Sequence, residues 1–190
     1  IVDYDIVDIT NLQRQVLHFT EDIGYLKVES TINKLSKLNP NIDLVPYREK
    51  FTEENASALI QQYDFVIDCC DNYEAKFLIN DICTSNNKAF SHGAVLSMKG
   101  EVMTCISGSA CYRCVFGESP AESEMPTSSQ VGILGAVAGT IGTIQATEAI
   151  KYLTGIGELI TNRLLIYDAR KMTFHSLKVK RNENCNCNHY

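Results

Sequence analysis

Along this chain short apolar runs alternate with segments of helical periodicity, and that alternation is the signature of an α/β domain built on a largely parallel sheet. Ile1 and Val2 read as the end of a strand, stopped by Asp3. A helix is predicted from about Gly24 to Leu38, where Val28, Ile32 and Leu35 share one face and Pro40 lies just beyond the end. Leu44 and Val45 read as the next strand. Thr52 to Gln62 reads as a helix with Thr52 as N-cap, followed by a short buried strand at Phe65, Val66 and Ile67. Helix returns at about Tyr73 to Ser85, and Ala89 to Ile106 holds two strands around Gly93 and Gly100. The polar, proline-bearing stretch 117–130 breaks the pattern and reads as a mobile loop. The uncharged run from Val131 is short, glycine-rich and carries Gln145, so it reads as a buried helix to about Leu153 rather than a membrane span. Strands at Leu164 to Tyr167 and Met172 to Val179 and a polar tail complete the chain, with no internal repeat.

A length of 190 residues fits a single domain with a sizeable core that needs no disulfide. The formal net charge of −6 argues against a surface that releases counterions from nucleic acid or sits on anionic lipid. The opening Ile1 and Val2 do not resemble an export signal, so the eight cysteines are expected in a cytoplasmic, reducing setting. There, closely spaced cysteines point to metal ligation or catalysis before disulfides.

Cys111 and Cys114 have the spacing with which one tight turn offers two thiolates to a tetrahedral Zn²⁺, and Cys185 and Cys187 offer a second pair. The second pair is separated by one residue, so His189 is an alternative fourth ligand. Structural zinc binds small peptides with about 10–16 kcal/mol apparent free energy, enough to pin a tail that has little core of its own. Cys69, Cys70, Cys83 and Cys105 lie on apolar elements and are expected to be buried and inert.

In an open parallel sheet ligands sit beyond the carboxyl ends of the strands, so acids that terminate apolar runs are candidates for binding. Asp3 is placed to accept hydrogen bonds from ribose hydroxyls. Asp71 and Asn72 together present a carboxylate and an amide where Mg²⁺ and phosphate meet, although capping of the following helix explains them equally well. Asn11, Leu12, Gln13, Arg14 and Gln15 gather four polar side chains around one leucine. Arg14 there can fork onto phosphate oxygens, with Lys27 as an added point charge.

Taken together, Asp3-Tyr4-Asp5, the Asn11–Gln15 run, Lys27-Val28-Glu29-Ser30, Asp71-Asn72, the Cys111/Cys114 pair and the Gly142–Lys151 stretch resemble the ThiF/MoeB/HesA family, relatives of the ubiquitin-activating enzymes. The resemblance runs the length of the chain. It implies a Rossmann-like, largely parallel sheet flanked by helices, antiparallel C-terminal strands and a zinc-pinned tail, all in one adenylation domain over 1–190 with 117–130 as the crossover loop. It implies ATP-dependent adenylation of the C-terminal glycine of a ubiquitin-like sulfur carrier protein, in thiamine or molybdenum-cofactor biosynthesis. By the same resemblance Asp3 is the ribose ligand, Thr10, Asn11, Leu12, Gln13, Arg14 and Lys27 are phosphate contacts, and Asp71 and Asn72 are magnesium and nucleotide contacts. The cofactors are then ATP, Mg²⁺ and Zn²⁺.

Two departures from the family pattern stand out. The glycine-rich phosphate loop of the family belongs upstream of Ile1, and no G-x-G-x-x-G follows a later strand, so the expectation is an N-terminally truncated domain or impaired phosphate binding. Ser128 occupies the place where some relatives carry a nucleophilic cysteine. Serine is a poor nucleophile for an acyl thioester-type step, which predicts a reaction that stops at the acyl-adenylate and a separate persulfide donor protein. Gly132, Gly135, Gly139 and Gly142 form a small-residue stripe that permits close backbone approach; the resemblance implies a homodimer around it, and close packing within the chain explains it equally well. Alternatives are a relative that adenylates a peptide or a tRNA-linked carboxylate, and a non-catalytic, zinc-held interaction domain.

Overall fold

The computed structural model describes residues 1–118 and 131–185. The chain divides into two compact units, Ile1–Phe51 and Thr52–Tyr190. The first unit has two single 3₁₀ turns, Ile9–Asn11 and Thr20–Asp22, and one helix, α1, Lys27–Leu38. α1 starts three residues later than its periodicity suggests. Gly24 takes a positive φ of 90°, its N–H donates to Val7 O at 2.9 Å, and Leu26 bridges Ile6, so 24–26 are committed to Ile6–Val7. The helix ends at Asn39, which is extended (φ −140°, ψ 99°), the conformation a following proline enforces. The strand expected at Leu44 and Val45 does not form. The pairing there is a single parallel bridge, Val2 to Tyr47, with Asp3 N–H donating to Tyr47 O at 3.2 Å.

The second unit follows its sequence pattern closely in its elements, although the strand expected to be buried at Phe65, Val66 and Ile67 leaves Ile67 45% exposed and the other two half-buried. α2 is Glu53–Ile60, whose first turn is tied by Thr52 N–H donating to Asn55 Oδ1 at 2.9 Å. β1 (Phe65–Asp68), α3 (Tyr73–Ser85), β2 (Ala89–Leu96), β3 (Lys99–Cys105) and the short α4 (Tyr112–Phe116) follow. The long α5 (Gly135–Thr154), β4 (Arg163–Asp168) and β5 (Thr173–Lys178) complete it. The five strands form one mixed sheet in the order β1-β2-β3-β4-β5. β1 and β2, joined through α3, are parallel, and the three later pairings are antiparallel. Antiparallel C-terminal strands match the expectation. Antiparallel pairing already begins at β2–β3, because the two residues Ser97 and Met98 between Leu96 and Lys99 allow only a hairpin.

α5 lies along the sheet, and its spacing explains which residues it buries: Val137, Ile141, Gln145 and Glu148 fall on one stripe. Val137 and Ile141 form a core with Val102, Ile160 and Tyr167. The helix approaches closely because the sheet presents glycines beneath it. A Cβ on Gly100 would lie 2.4 Å from Ile141 Cγ1 and one on Gly93 2.4 Å from Gln145 Cδ. α5 is therefore buried on one face only. Gly139 and Gly142 are exposed, and a Cβ on either would meet nothing within 4 Å, so these two glycines of the stripe serve no close packing among the described residues. No helix of the described residues is long and apolar enough to cross a membrane.

Candidate functional site

In the first unit the Thr10–Arg14 segment is a tight turn rather than a helix face. Asp8 caps it, accepting from Thr10 N–H at 2.8 Å and Thr10 Oγ1 at 2.6 Å, which holds the Asp8 carboxyl below its ordinary range. Asn11 O receives the N–H groups of Arg14 (3.0 Å) and Gln15 (2.9 Å), and Arg14 Nη1 reaches back to Thr10 O at 3.1 Å. Leu12 is half-buried and Gln13 exposed. Asp3 and Lys27 come together through Asp5, a residue whose spacing gives it no evident role: Asp5 N–H donates to Asp3 Oδ1 at 2.9 Å, and Lys27 Nζ pairs with Asp5 Oδ2 at 2.9 Å. Lys27 opens α1, and its own N–H donates to Asp5 O at 2.9 Å, so Asp5 fixes both ends of that residue.

In the second unit Asp71 and Asn72 are exposed and form the turn between β1 and α3. Asn72 is the N-cap of α3: its Oδ1 accepts Ala75 N–H at 2.8 Å. The capping explanation therefore holds for Asn72, and its amide NH₂ remains chemically suited to a ligand. Asp71 offers the hard oxygen donor that magnesium takes from a protein when the remaining positions are filled by water and substrate phosphates.

Beneath this turn lies a buried polar cluster that pattern reasoning missed. Asp68, at the end of β1, is 1% exposed, Lys76 in α3 is 5% exposed and His92 in β2 is fully buried. Asp68 Oδ2 accepts from Lys76 Nζ at 3.0 Å and from His92 Nδ1 at 2.9 Å, while Asp68 Oδ1 accepts Cys70 N–H at 2.9 Å. Lys76 Nζ also donates to Gly93 O at 2.7 Å. Gln145 of α5 donates to Asp68 O at 2.8 Å and to Ser91 O at 3.1 Å. Burial pushes the Asp68 carboxyl up, but the hydrogen bond from His92 and the charge of Lys76 outweigh it and hold it below the ordinary range. The available signal was Lys76 and His92 standing where the periodicity of α3 and β2 calls for apolar residues.

Cys69 and Cys70 depart from expectation. Cys69 is exposed as a residue and Cys70 half-buried, whereas Cys83 and Cys105 are buried as expected. The Cys69 sulfur nevertheless turns inward, 3.8 Å from Gln145 Oε1. Burial pushes the Cys70 and Cys83 thiols up to about 12, and raises Cys69, so none is a thiolate near neutrality.

The cysteine cluster assembles across 74 residues of sequence: Cys111 Sγ lies 3.7 Å from Cys114 Sγ and 3.6 Å from Cys185 Sγ. All three sulfurs lie within 4.8 Å of one another. A tetrahedron with Zn–S of about 2.3 Å has S···S edges of about 3.8 Å, whereas a disulfide needs about 2.05 Å, so the donor set fits zinc and excludes a bond. Asn182 N–H points to Cys114 Sγ at 3.4 Å, the orientation that favours a thiolate. Cys187 and His189 lie outside the described residues, as do Ser128 and most of 117–130. The two residues between the cysteines lock the turn onto α3. Tyr112 N–H donates to Asn80 Oδ1 at 2.9 Å, and Arg113 forks onto Asp81 with two 2.6 Å contacts while stacking over Phe77.

A mixed sheet flanked by helices, with acids at strand ends and three cysteines gathered so that they could hold a metal ion, defines an open-sheet α/β domain. The chain belongs to the ThiF family, which matches residues 1–188. It is 38% identical over 185 residues to the SAMP-activating enzyme E1 of Haloferax volcanii, covering 97% of this chain and 68% of that protein. It is 35% identical to the sulfur carrier protein adenylyltransferase of Thermus thermophilus, covering 97% of this chain and 70% of that one. Against the adenylyltransferase and sulfurtransferase MOCS3 of Aedes aegypti identity is 37%, and the chain spans 41% of that longer protein. Among solved structures, E. coli MccB with ATP superposes with a TM-score of 0.83 at 19% identity, over 98% of this chain and 57% of that one, a likeness of fold alone.

Proposed function

We infer that this chain is the adenylation domain of an ATP-dependent adenylyltransferase that activates the C-terminal glycine of a ubiquitin-like sulfur carrier protein. The observation that carries this reading is the near-complete coverage of the chain by relatives named for activating such carriers. The side chains suit the chemistry. The attacking carrier carboxylate is already ionised at neutral pH; it bonds to the α-phosphorus of ATP as the bond to the bridging oxygen breaks and pyrophosphate leaves. No strong general base is needed, and neutralisation of crowded negative charge is.

In this reading Asp3 accepts from the ribose, its Oδ1 already ordered by Asp5 N–H. Thr10, Asn11, Leu12, Gln13 and Arg14 form a phosphate-facing turn, and Lys27 brings its cation from its pairing with Asp5. Asp71 would hold Mg²⁺, which supplies charge neutralisation on the phosphates when bound, and Asn72 contributes its amide NH₂ while its oxygen caps α3. Cys111, Cys114, Cys185 and Cys187 would hold a structural Zn²⁺, with His189 as the alternative fourth ligand. Ser128 makes no acyl thioester, so the reaction stops at the acyl-adenylate and sulfur comes from a separate persulfide donor. The exposed Gly139 and Gly142 support a homodimer contact over close intrachain packing. A cytoplasmic setting keeps the thiolates reduced for metal.

The test is carrier-dependent ATP–pyrophosphate exchange, run on this chain and on a version preceded by a glycine-rich strand-to-helix turn. Exchange that requires a carrier ending in Gly-Gly is expected. Exchange driven instead by a peptide or a modified tRNA selects that branch of the family. Absence of exchange with every carrier, together with no Mg·ATP binding in a calorimetric titration, assigns the chain to a zinc-held interaction domain and overturns the reading. Carriers from thiamine and molybdenum-cofactor synthesis, supplied separately, separate the two pathways.

A further inference from the structure

Four elements converge on Asp68, and the adenylation chemistry leaves all of these contacts unused. Asp68 ends β1 three residues before Asp71. Its two carboxylate oxygens take Cys70 N–H, Lys76 Nζ and His92 Nδ1, and its backbone oxygen takes Gln145 Nε2. Lys76 extends the tie from α3 to the backbone of β2 at Gly93 O. At the other end of the turn Asn72 is fixed by its cap on Ala75 N–H. Cys69, Cys70 and Asp71 are thus suspended between two anchored points, with the Cys70 N–H bond setting the course of the chain in between.

We propose that Asp68 and Lys76 are positioning residues for Asp71: the buried pair sets where the turn after β1 presents that carboxylate to a magnesium-bound nucleotide. This rests on the adenylation reading. A core of this size has no need of two nearly inaccessible charges for stability, because a well-packed apolar pair of similar volume serves at least as well. What an ion pair with fixed hydrogen bonds adds is one geometry. Lys76 has a second effect. Its ammonium offsets the Asp68 charge directly beneath the turn, so that the carboxylate of Asp71 faces the incoming metal and phosphates without a second uncompensated anion behind it. Groups that orient a metal-binding carboxylate from behind are typically felt as a loss of about 10–100-fold in metal affinity when removed.

The experiment compares wild type, Lys76→Met, Lys76→Arg and Asp71→Asn in the full-length protein. Two readouts are taken: the Mg²⁺ dependence of carrier-stimulated ATP–pyrophosphate exchange, and Mn²⁺ binding in the presence of a non-hydrolysable ATP analogue, followed by electron paramagnetic resonance. Lys76→Met is expected to weaken Mn²⁺ binding and raise the half-saturating Mg²⁺ by about 10–100-fold, with the KM for carrier unchanged. Lys76→Arg, which keeps the cation, is expected to retain most of the wild-type metal affinity. If Asp71→Asn weakens metal binding and Lys76→Met does not, the proposal is overturned. If Asp71→Asn has no effect either, the role of Asp71 in the underlying reading fails instead. Should Lys76→Met not fold by circular dichroism, the double change Asp68→Asn with Lys76→Met, which leaves no buried charge unpaired, takes its place under the same criteria.

Discussion

A methyl group on Gly93 would meet Gln145 Cδ and Oε1 at 2.4 Å and Nε2 at 2.6 Å, and that side chain cannot retreat without releasing Asp68 O and Ser91 O. Gly93→Ala is therefore expected to destabilise the fold by about 1–3 kcal/mol, read as a lower urea midpoint at unchanged m-value. A second expectation at this scale concerns His18 in the first unit. It is buried with Nδ1 2.8 Å from Ser30 Oγ, and burial, followed by the nearby Lys34 charge, lowers its pKa. Below about pH 6.5 the unfolded chain binds that proton before the folded one does, so stability is present above about 6.5 and declines as pH falls through the lowered folded value. His18→Gln should flatten this part of a stability–pH curve measured by denaturant titration; an equally steep curve in the variant would assign the slope elsewhere.

At the scale of elements, α3 does two jobs: its N-terminus frames the Asp71 turn and its middle carries the cysteine turn through Asn80 and Asp81. Replacing Asn72 by Ala removes the bond to Ala75 N–H and should cost about 1 kcal/mol, whereas Asn72→Asp, an equally good cap, should keep that stability. If Asn72→Asp nonetheless weakens Mg·ATP binding in calorimetry, the amide acts on nucleotide beyond its capping. Arg113 links the same two elements by its fork on Asp81, and a lysine there cannot reproduce both contacts. The boundaries of α3 and β1 were legible in advance because a short apolar run, a capping asparagine and a helical period are all local signals. The start of α1 was not, because Gly24 to Leu26 are held by a bridge to Ile6 and Val7, and nothing in the local pattern announces that partner.

For the whole molecule, the cysteine cluster ties the tail to the body of the second unit, with Cys185 buried against Cys111 and Cys114. Purified protein is expected to carry zinc in equimolar amount by elemental analysis, and chelation under reducing conditions should lower the thermal midpoint. Cys111→Ser should lose the metal and reproduce that shift. A chain that is metal-free as isolated yet equally stable would show that the thiols pack without an ion.

Local spacing was enough to settle the alternation of strands and helices, the pairing potential of Cys111 with Cys114, and the place of Asp71 and Asn72 between a strand and a helix. Each of these follows from signals within a few residues. Which polar groups are buried together was a matter for tertiary contacts. Asp68 meets His92 across 24 residues and Gln145 across 77, and a charge in the core is tolerable only where such partners arrive. The sheet expected to be largely parallel is mixed: the two-residue connection makes β2–β3 a hairpin by local length alone, whereas the antiparallel β3–β4 pairing depends on which strands become neighbours. Tertiary contacts also assigned the close approach of helix and sheet to Gly93 and Gly100, and left Gly139 and Gly142 of α5 exposed, because a glycine matters for packing only where another chain segment presses against it.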